Sequence, residues 1–136
     1  MYSNIIIPVD LGHKERLPAM LKAAEAVAEP GAKAILVNVV DPVPAYVASQ
    51  LPGNVESERK TTAEAALKDM VKDVSIDLET VAIKGHPADV ILRLAEARNS
   101  DLIVIASHKP GLQDYLIGST AARVVRHAKC SILVIR

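Results

Sequence analysis

The chain contains no phenylalanine and no tryptophan, and only three tyrosines. Half of its 136 residues are nonetheless apolar, so the core must be aliphatic, built from Val, Ile, Leu and Ala. Cysteine is nearly absent. Cys130 stands alone, which excludes an internal disulfide and fits a reducing compartment. Net charge is also missing: sixteen basic residues balance sixteen acidic ones. A neutral domain lacks the electrostatic footprint of nucleic-acid or anionic-lipid binding, so neither nucleic acid nor membrane is expected as a partner. Neutrality does permit self-association. No apolar run approaches the roughly 20 residues that span a bilayer. The N-terminus leads straight into Ile5-Ile6-Ile7, with no basic stretch and no small-residue cleavage site, so a cytoplasmic location is expected. Glycine is sparse as well. No two of the six glycines lie within three residues of each other, which rules out a dinucleotide fingerprint and a P-loop.

The chain does hold a repeating alternation. Residues 4–9 (NIIIPV), 33–40 (KAILVNVV), 101–106 (DLIVIA) and 131–136 (SILVIR) are short aliphatic runs, the pattern of strands buried on both faces. Residues 76–83 (IDLETVAI) alternate in part, as an edge strand does. Between these runs, apolar residues recur at helical spacing over 16–28, from Asn54 onward, from Pro87 and over 118–128. Pro30-Gly31 marks the end of the first helix, and Pro87 the start of the third. Residues 41–53 carry three prolines and form the longest irregular stretch, read as an exposed loop, with folding over the crevice or contact with a neighbouring subunit as the alternatives. Five strands alternating with four helices predict one α/β domain: a five-stranded parallel sheet with helices on both faces. The expected strand order is 3-2-1-4-5, with a crevice at the carboxyl ends of strands 1 and 4. Pro8-Val9-Asp10 would then face Ala106-Ser107-His108.

Within that crevice the strongest candidate is Gly118-Ser119-Thr120, at a helix start after a long loop. Free backbone N–H groups and the helix dipole favour an anion there, and the two hydroxyls can donate to phosphate oxygens. The competing reading is that Ser119 or Thr120 only caps the helix. Asp10 could bond a ribose or, through water, a phosphate-bound Mg²⁺; its ordinary role is that of a turn residue. His108 and Lys109 could face phosphates or simply be solvated. His86 reads as a turn residue or helix cap, and His13 as exposed. No Ser-His-acid or Cys-His arrangement and no general base is readable from spacing, so no catalytic residue is assigned. His127 and Cys130 have no further ligand at metal spacing, so no metal site is assigned. A receiver-type domain is excluded because Lys84, not Asp, ends the third strand. A flavodoxin-like site is excluded because residues 10–14 (DLGHK) are not hydroxyl-rich.

IIIPVD, Gly85-His86-Pro87, DLIVIASH and Gly118-Ser119 running through a helix into SILVIR together resemble the universal stress protein family over the full chain. The segment from ASHKP to SILVIR is similar to its enterobacterial F/G branch. The resemblance implies homodimers or homotetramers, a part in stress survival, and ATP in the crevice. Nucleotide-binding members carry a glycine, two residues, a second glycine, nine residues and then Gly-Ser. Here Ala106 and Lys109 stand at the first two glycines, and eight residues separate Lys109 from the matching Gly118-Ser119. Pro8, Val9, Asp10 and Val39 are implied at the adenine end. Turnover is expected to be that of a slow ATPase at most. The alternative is a stress adaptor acting through oligomer surfaces without nucleotide.

Overall fold

The computed structural model describes residues 1–40, 50, 55–71, 73–107 and 118–136, with side chains omitted for 55–57. Chain order is β1 (Tyr2–Pro8), a 3-10 segment (Leu11–Arg16), α1 (Leu17–Val27), β2 (Ala28–Val40), α2 (Val55–Asp69), β3 (Asp77–Lys84), α3 (Pro87–Ala97), β4 (Leu102–Ala106), α4 (Ser119–His127) and β5 (Ser131–Ile135). The strands form one sheet in the order β3-β2-β1-β4-β5. Every adjacent pair is parallel. The predicted order and the predicted edge position of β3 both hold.

Side chains alternate across the sheet, so each strand feeds two cores. Ile5, Ile7, Leu36 and Val104 face Leu17, Met20 and Ala24 of α1 and Leu67 of α2. Ile6, Ile35, Val37, Ile103 and Ile105 face Ala88, Ile91 and Ala95 of α3 and Ala121 and Val124 of α4. Helices thus cover both faces, two on each. Leu36 and Ile103 are fully buried, and truncating either to alanine is expected to cost about 2–5 kcal/mol.

Two boundaries differ from the sequence reading. Pro30-Gly31 does follow the end of α1, but the chain is already extended from Ala28. The β1–β2 register jumps from Tyr2↔Ala28 to Asn4↔Lys33. Pro30 has no N–H to give to a ladder, and Gly31 has φ +83°, so the two residues sit in a bulge rather than a gap between elements. The apolar face expected of the second helix also outlasts it. Met70, Val71 and Val74 follow α2 yet still pack on the core.

Gly85 fixes how α3 leaves β3. Its φ is +150°, and a Cβ there would lie 2.6 Å from Val90 Cγ2. His86 holds the N-cap position of α3 without a side-chain cap bond. Arg123 of α4 pairs with Asp89 of α3 at 2.8 Å, an exposed link between two helices of one layer.

Candidate functional site

At the carboxyl ends of the strands lies a cleft of about 350 Å³. Its walls come from four places that the sheet order brings together. Pro8, Val9 and Asp10 end β1, and Asn38 and Val39 come from the far end of β2. Ala106 and Ser107 end β4, and Gly118, Ser119 and Thr120 open α4. Every candidate residue within the described part of the chain therefore lines the same cleft. His108 and Lys109 lie outside the described residues, as does the 41–53 loop apart from Gln50.

Two backbone bonds assemble this geometry. Val9 N–H donates to the Val37 carbonyl at 2.8 Å, carrying the ladder past the last β1 residue. Ser107 has both of its backbone groups engaged. Its N–H donates to the Ile135 carbonyl at 2.9 Å, and its carbonyl accepts from Gly118 N–H. The end of β4 is thereby joined to the start of α4.

Neither Ser119 nor Thr120 caps α4. Gly118 is the N-cap, with φ −57° and ψ 155°, and there is no side-chain cap hydrogen bond. The capping reading is corrected by one residue. Glycine has no side-chain acceptor to give, so the leading N–H groups of α4 are not capped by their N-cap residue. That φ is open to any residue, so the backbone angle does not require glycine at 118.

Asp10 does perform the local role weighed for it. Its Oδ1 accepts from Gly12 N–H at 2.9 Å and starts the 3-10 segment. Its other oxygen lies 3.9 Å from His13 Nε2, and His13 Nδ1 is 3.6 Å from Glu15. Asp10 remains exposed and, among the described residues, is the one carboxylate that lines the cleft.

Several lining residues were not picked out from the sequence: His13, Arg16, Leu17, Met20, Asn38, Pro87 and Ile91. His13, expected to be exposed, is half-buried on the cleft wall. A signal for two of these residues was present. Asp10, His13 and Arg16 are spaced by three, and a 3-10 turn stacks such residues on one side. The segment is kinked at His13 (φ −136°, ψ 58°), yet all three residues still line the cleft.

Two polar atoms here are buried without a hydrogen-bond partner: Ser107 Oγ and Arg16 Nη1. Ser107 is 2% exposed and, among the described residues, is the buried polar one in an otherwise apolar core. Buried polar groups are nearly always paired, so an unpaired one calls for an explanation. The rest of the cleft is mixed. Apolar walls of Val9, Val37, Val39, Met20 and Ile91 suit a flat ring, and the donors suit an anion.

No group of three or more His, Cys, Asp or Glu side chains among the described residues is placed to hold a metal ion. Among these residues no helix is long and apolar enough to cross a membrane. Cys130 is free, and burial raises its thiol pKa.

Comparison with known proteins agrees with this architecture. The universal stress protein family model matches residues 1–136, and the chain belongs to that family. Universal stress protein G of Salmonella typhimurium is 32% identical over 142 residues, covering 100% of both chains. The solved structure of the protein MJ0577 superposes with a TM-score of 0.83 at 24% identity, covering 99% of this chain and 96% of that one. A universal stress protein solved in complex with cAMP gives 0.73 at 22% identity, covering 99% and 97%. The family member from Archaeoglobus fulgidus in complex with dAMP gives 0.65 at 22%, covering 99% and 98%. The one from Arabidopsis thaliana with AMP bound gives 0.62 at 17%, covering 98% and 90%. Structural relatives of this chain therefore bind adenine nucleotides.

Proposed function

We propose that this chain binds an adenine nucleotide, ATP included, in the cleft at the carboxyl ends of β1 and β4, and serves the stress response by binding rather than by turnover. One observation carries the reading. Unused donors at Ser107 and α4 share a single cleft with apolar walls at Val9 and Val39. A nucleotide has the matching pair of features: a flat base and an acceptor-rich phosphate chain. The AMP, dAMP and cAMP complexes of structural relatives support the class of ligand.

Asp10 is a weak candidate for general base, since both of its oxygens already face local partners. Any ATP hydrolysis is therefore slow on this reading. As the single lining carboxylate among the described residues, Asp10 suits a Mg²⁺ that arrives with the phosphates rather than one held in advance by the protein.

The test is titration calorimetry with AMP and with ATP, each with and without Mg²⁺, beside mass analysis of any small molecule that co-purifies. Saturable binding of either nucleotide supports the proposal. No heat with either one overturns it.

The adaptor reading draws on a different region. β5 is an edge strand, and Ile132, Leu133, Val134 and Ile135 are each only half-buried. Such an edge favours pairing with a second copy, and a homodimer or homotetramer is proposed under either reading. A monomer by light scattering at all concentrations would argue against the adaptor reading.

A further inference from the structure

Arg16 presents a problem that the fold does not solve. It ends the 3-10 segment, directly before α1, and its Nη1 is buried with no hydrogen-bond partner. A guanidinium is charged at any physiological pH and carries five donors in a fixed fork. Burying one of those donors unpaired is unfavourable, and nothing in the packing of α1 requires a charge there. The nearby carboxylate does not relieve it, because Asp10 is directed to Gly12 and His13.

Arg16 is not isolated in this respect. Ser107 Oγ, on the same cleft, is also buried and unpartnered. The first turn of α4, a third wall of the cleft, has no side-chain cap. Three separate elements on the walls of one cleft thus carry donors without a recorded partner, and the acidic side chain among the described lining residues accepts from Gly12 instead. A ligand fragment that satisfies all three must be rich in acceptors and negatively charged.

We infer that Arg16, with Ser107, is the specificity-determining pair that reads the phosphate of the bound ligand, so that the cleft selects phosphorylated nucleotides over the nucleoside. For the identity of the ligand this rests on the nucleotide reading above; for its charge it rests on the unpaired donors alone. Arg16 makes a charge-assisted, fork-shaped contact, and Ser107 adds a neutral donor. The wild-type protein accordingly binds AMP and ATP more tightly than adenosine.

The experiment measures affinities for adenosine, AMP, ATP and inorganic tripolyphosphate in the wild type and in Arg16→Gln, Arg16→Lys and Ser107→Ala. Hydrogen bonds to charged groups predict that Arg16→Gln loses roughly 10- to 100-fold for AMP and ATP. Adenosine affinity is expected to stay unchanged. Arg16→Lys recovers part of the loss, because it restores charge without the fork. Ser107→Ala loses less, and guards against a folding defect in the arginine variants. The melting temperature of the ligand-free variants is expected to equal or exceed that of the wild type.

Equal wild-type affinity for adenosine and AMP would overturn the inference. So would an Arg16→Gln variant that binds AMP as the wild type does, or one that loses adenosine and AMP alike. Those outcomes would leave nucleotide binding itself standing. If the wild type binds tripolyphosphate in an Arg16-dependent way but no adenine compound, the anion inference stands and the nucleotide reading falls. If it binds neither, both fall.

Discussion

Where β1 and β4 begin, the carboxylate of Asp101 accepts from Ser3 N–H at 2.9 Å, Ser3 Oγ at 3.1 Å and Asn4 N–H at 2.9 Å. Asp101 N–H donates in turn to the Asn4 carbonyl at 2.9 Å. Where the same two strands end, Ser107 Oγ and Arg16 Nη1 have no hydrogen-bond partner among the described residues, and α4 starts without a side-chain cap. Both places lie on the β1–β4 seam, and both hold polar side chains beside buried aliphatic residues. One is satisfied within the chain, while the other leaves polar atoms without partners among the described residues. A parallel sheet allows this division, because its loops and helix starts gather at one end. On the proposed reading, the opening of the seam serves stability and its close serves ligand binding.

That contrast predicts opposite responses to substitution. The largest effect is expected from Gly118→Val. A branched side chain at the start of α4 denies close approach to its N–H groups, and nucleotide affinity should fall by roughly 100-fold, the worth of two charge-assisted bonds. The φ of −57° suits valine, so the melting temperature should move little. Calorimetry beside thermal denaturation checks both halves. A protein that unfolds without losing affinity per folded molecule would break the comparison.

Asp101→Ala should do the reverse. Losing a carboxylate with several donors should cost about 1–2 kcal/mol, reduced from the buried value because the group is partly exposed. Nucleotide affinity should be unaffected. Urea denaturation of the two proteins gives the difference.

The same group sets a pH dependence. Burial raises the Asp101 pKa, but the backbone N–H groups of Ser3 and Asn4 and the Ser3 hydroxyl outweigh it, and the net shift is downward. A carboxylate with a lowered folded pKa stabilises fully above its unfolded value of about 3.9. That contribution is lost as pH falls through the lowered folded value. The stability gap between wild type and Asp101→Asn should therefore be constant from neutral pH to about 5 and close at lower pH. A gap that grows on acidification would contradict the sign.

The smallest effect should come from Ser107→Ala in the ligand-free protein. Removing a buried hydroxyl that bonds to nothing should change stability by less than about 1 kcal/mol, with a gain as the expected direction. A loss of about 2 kcal/mol or more would mean that the hydroxyl has a partner within the fold.

The sequence made some parts of this molecule legible and hid others, for physical reasons. NIIIPV, KAILVNVV and DLIVIA announce buried strands because such strands must be aliphatic on both faces, and alternation with helices then leaves few topologies. Asp10 and Gly118-Ser119 could be located because strand ends and helix starts are local features. The bulge at Pro30-Gly31 was hidden, since a Pro-Gly pair reads as a break whether the chain turns away or stays extended. The cap of α4 was misread by one residue, because Gly, Ser and Thr are all acceptable N-caps and the neighbours decide among them. Arg16 was the hardest case. Burial of one guanidinium nitrogen depends on how α1, β1 and β4 meet, and nothing local to residues 11–16 encodes it beyond the spacing of Asp10, His13 and Arg16.

The most direct test of the contrast between the two ends is an amide NMR titration of the wild-type protein with AMP. Shifts are predicted at Val9, Val39, Ser107, Gly118, Ser119 and Thr120, saturating together, with Ser3, Asn4 and Asp101 unmoved. Saturable shifts centred on Ser3, Asn4 and Asp101, or no shifts at all, would contradict the account.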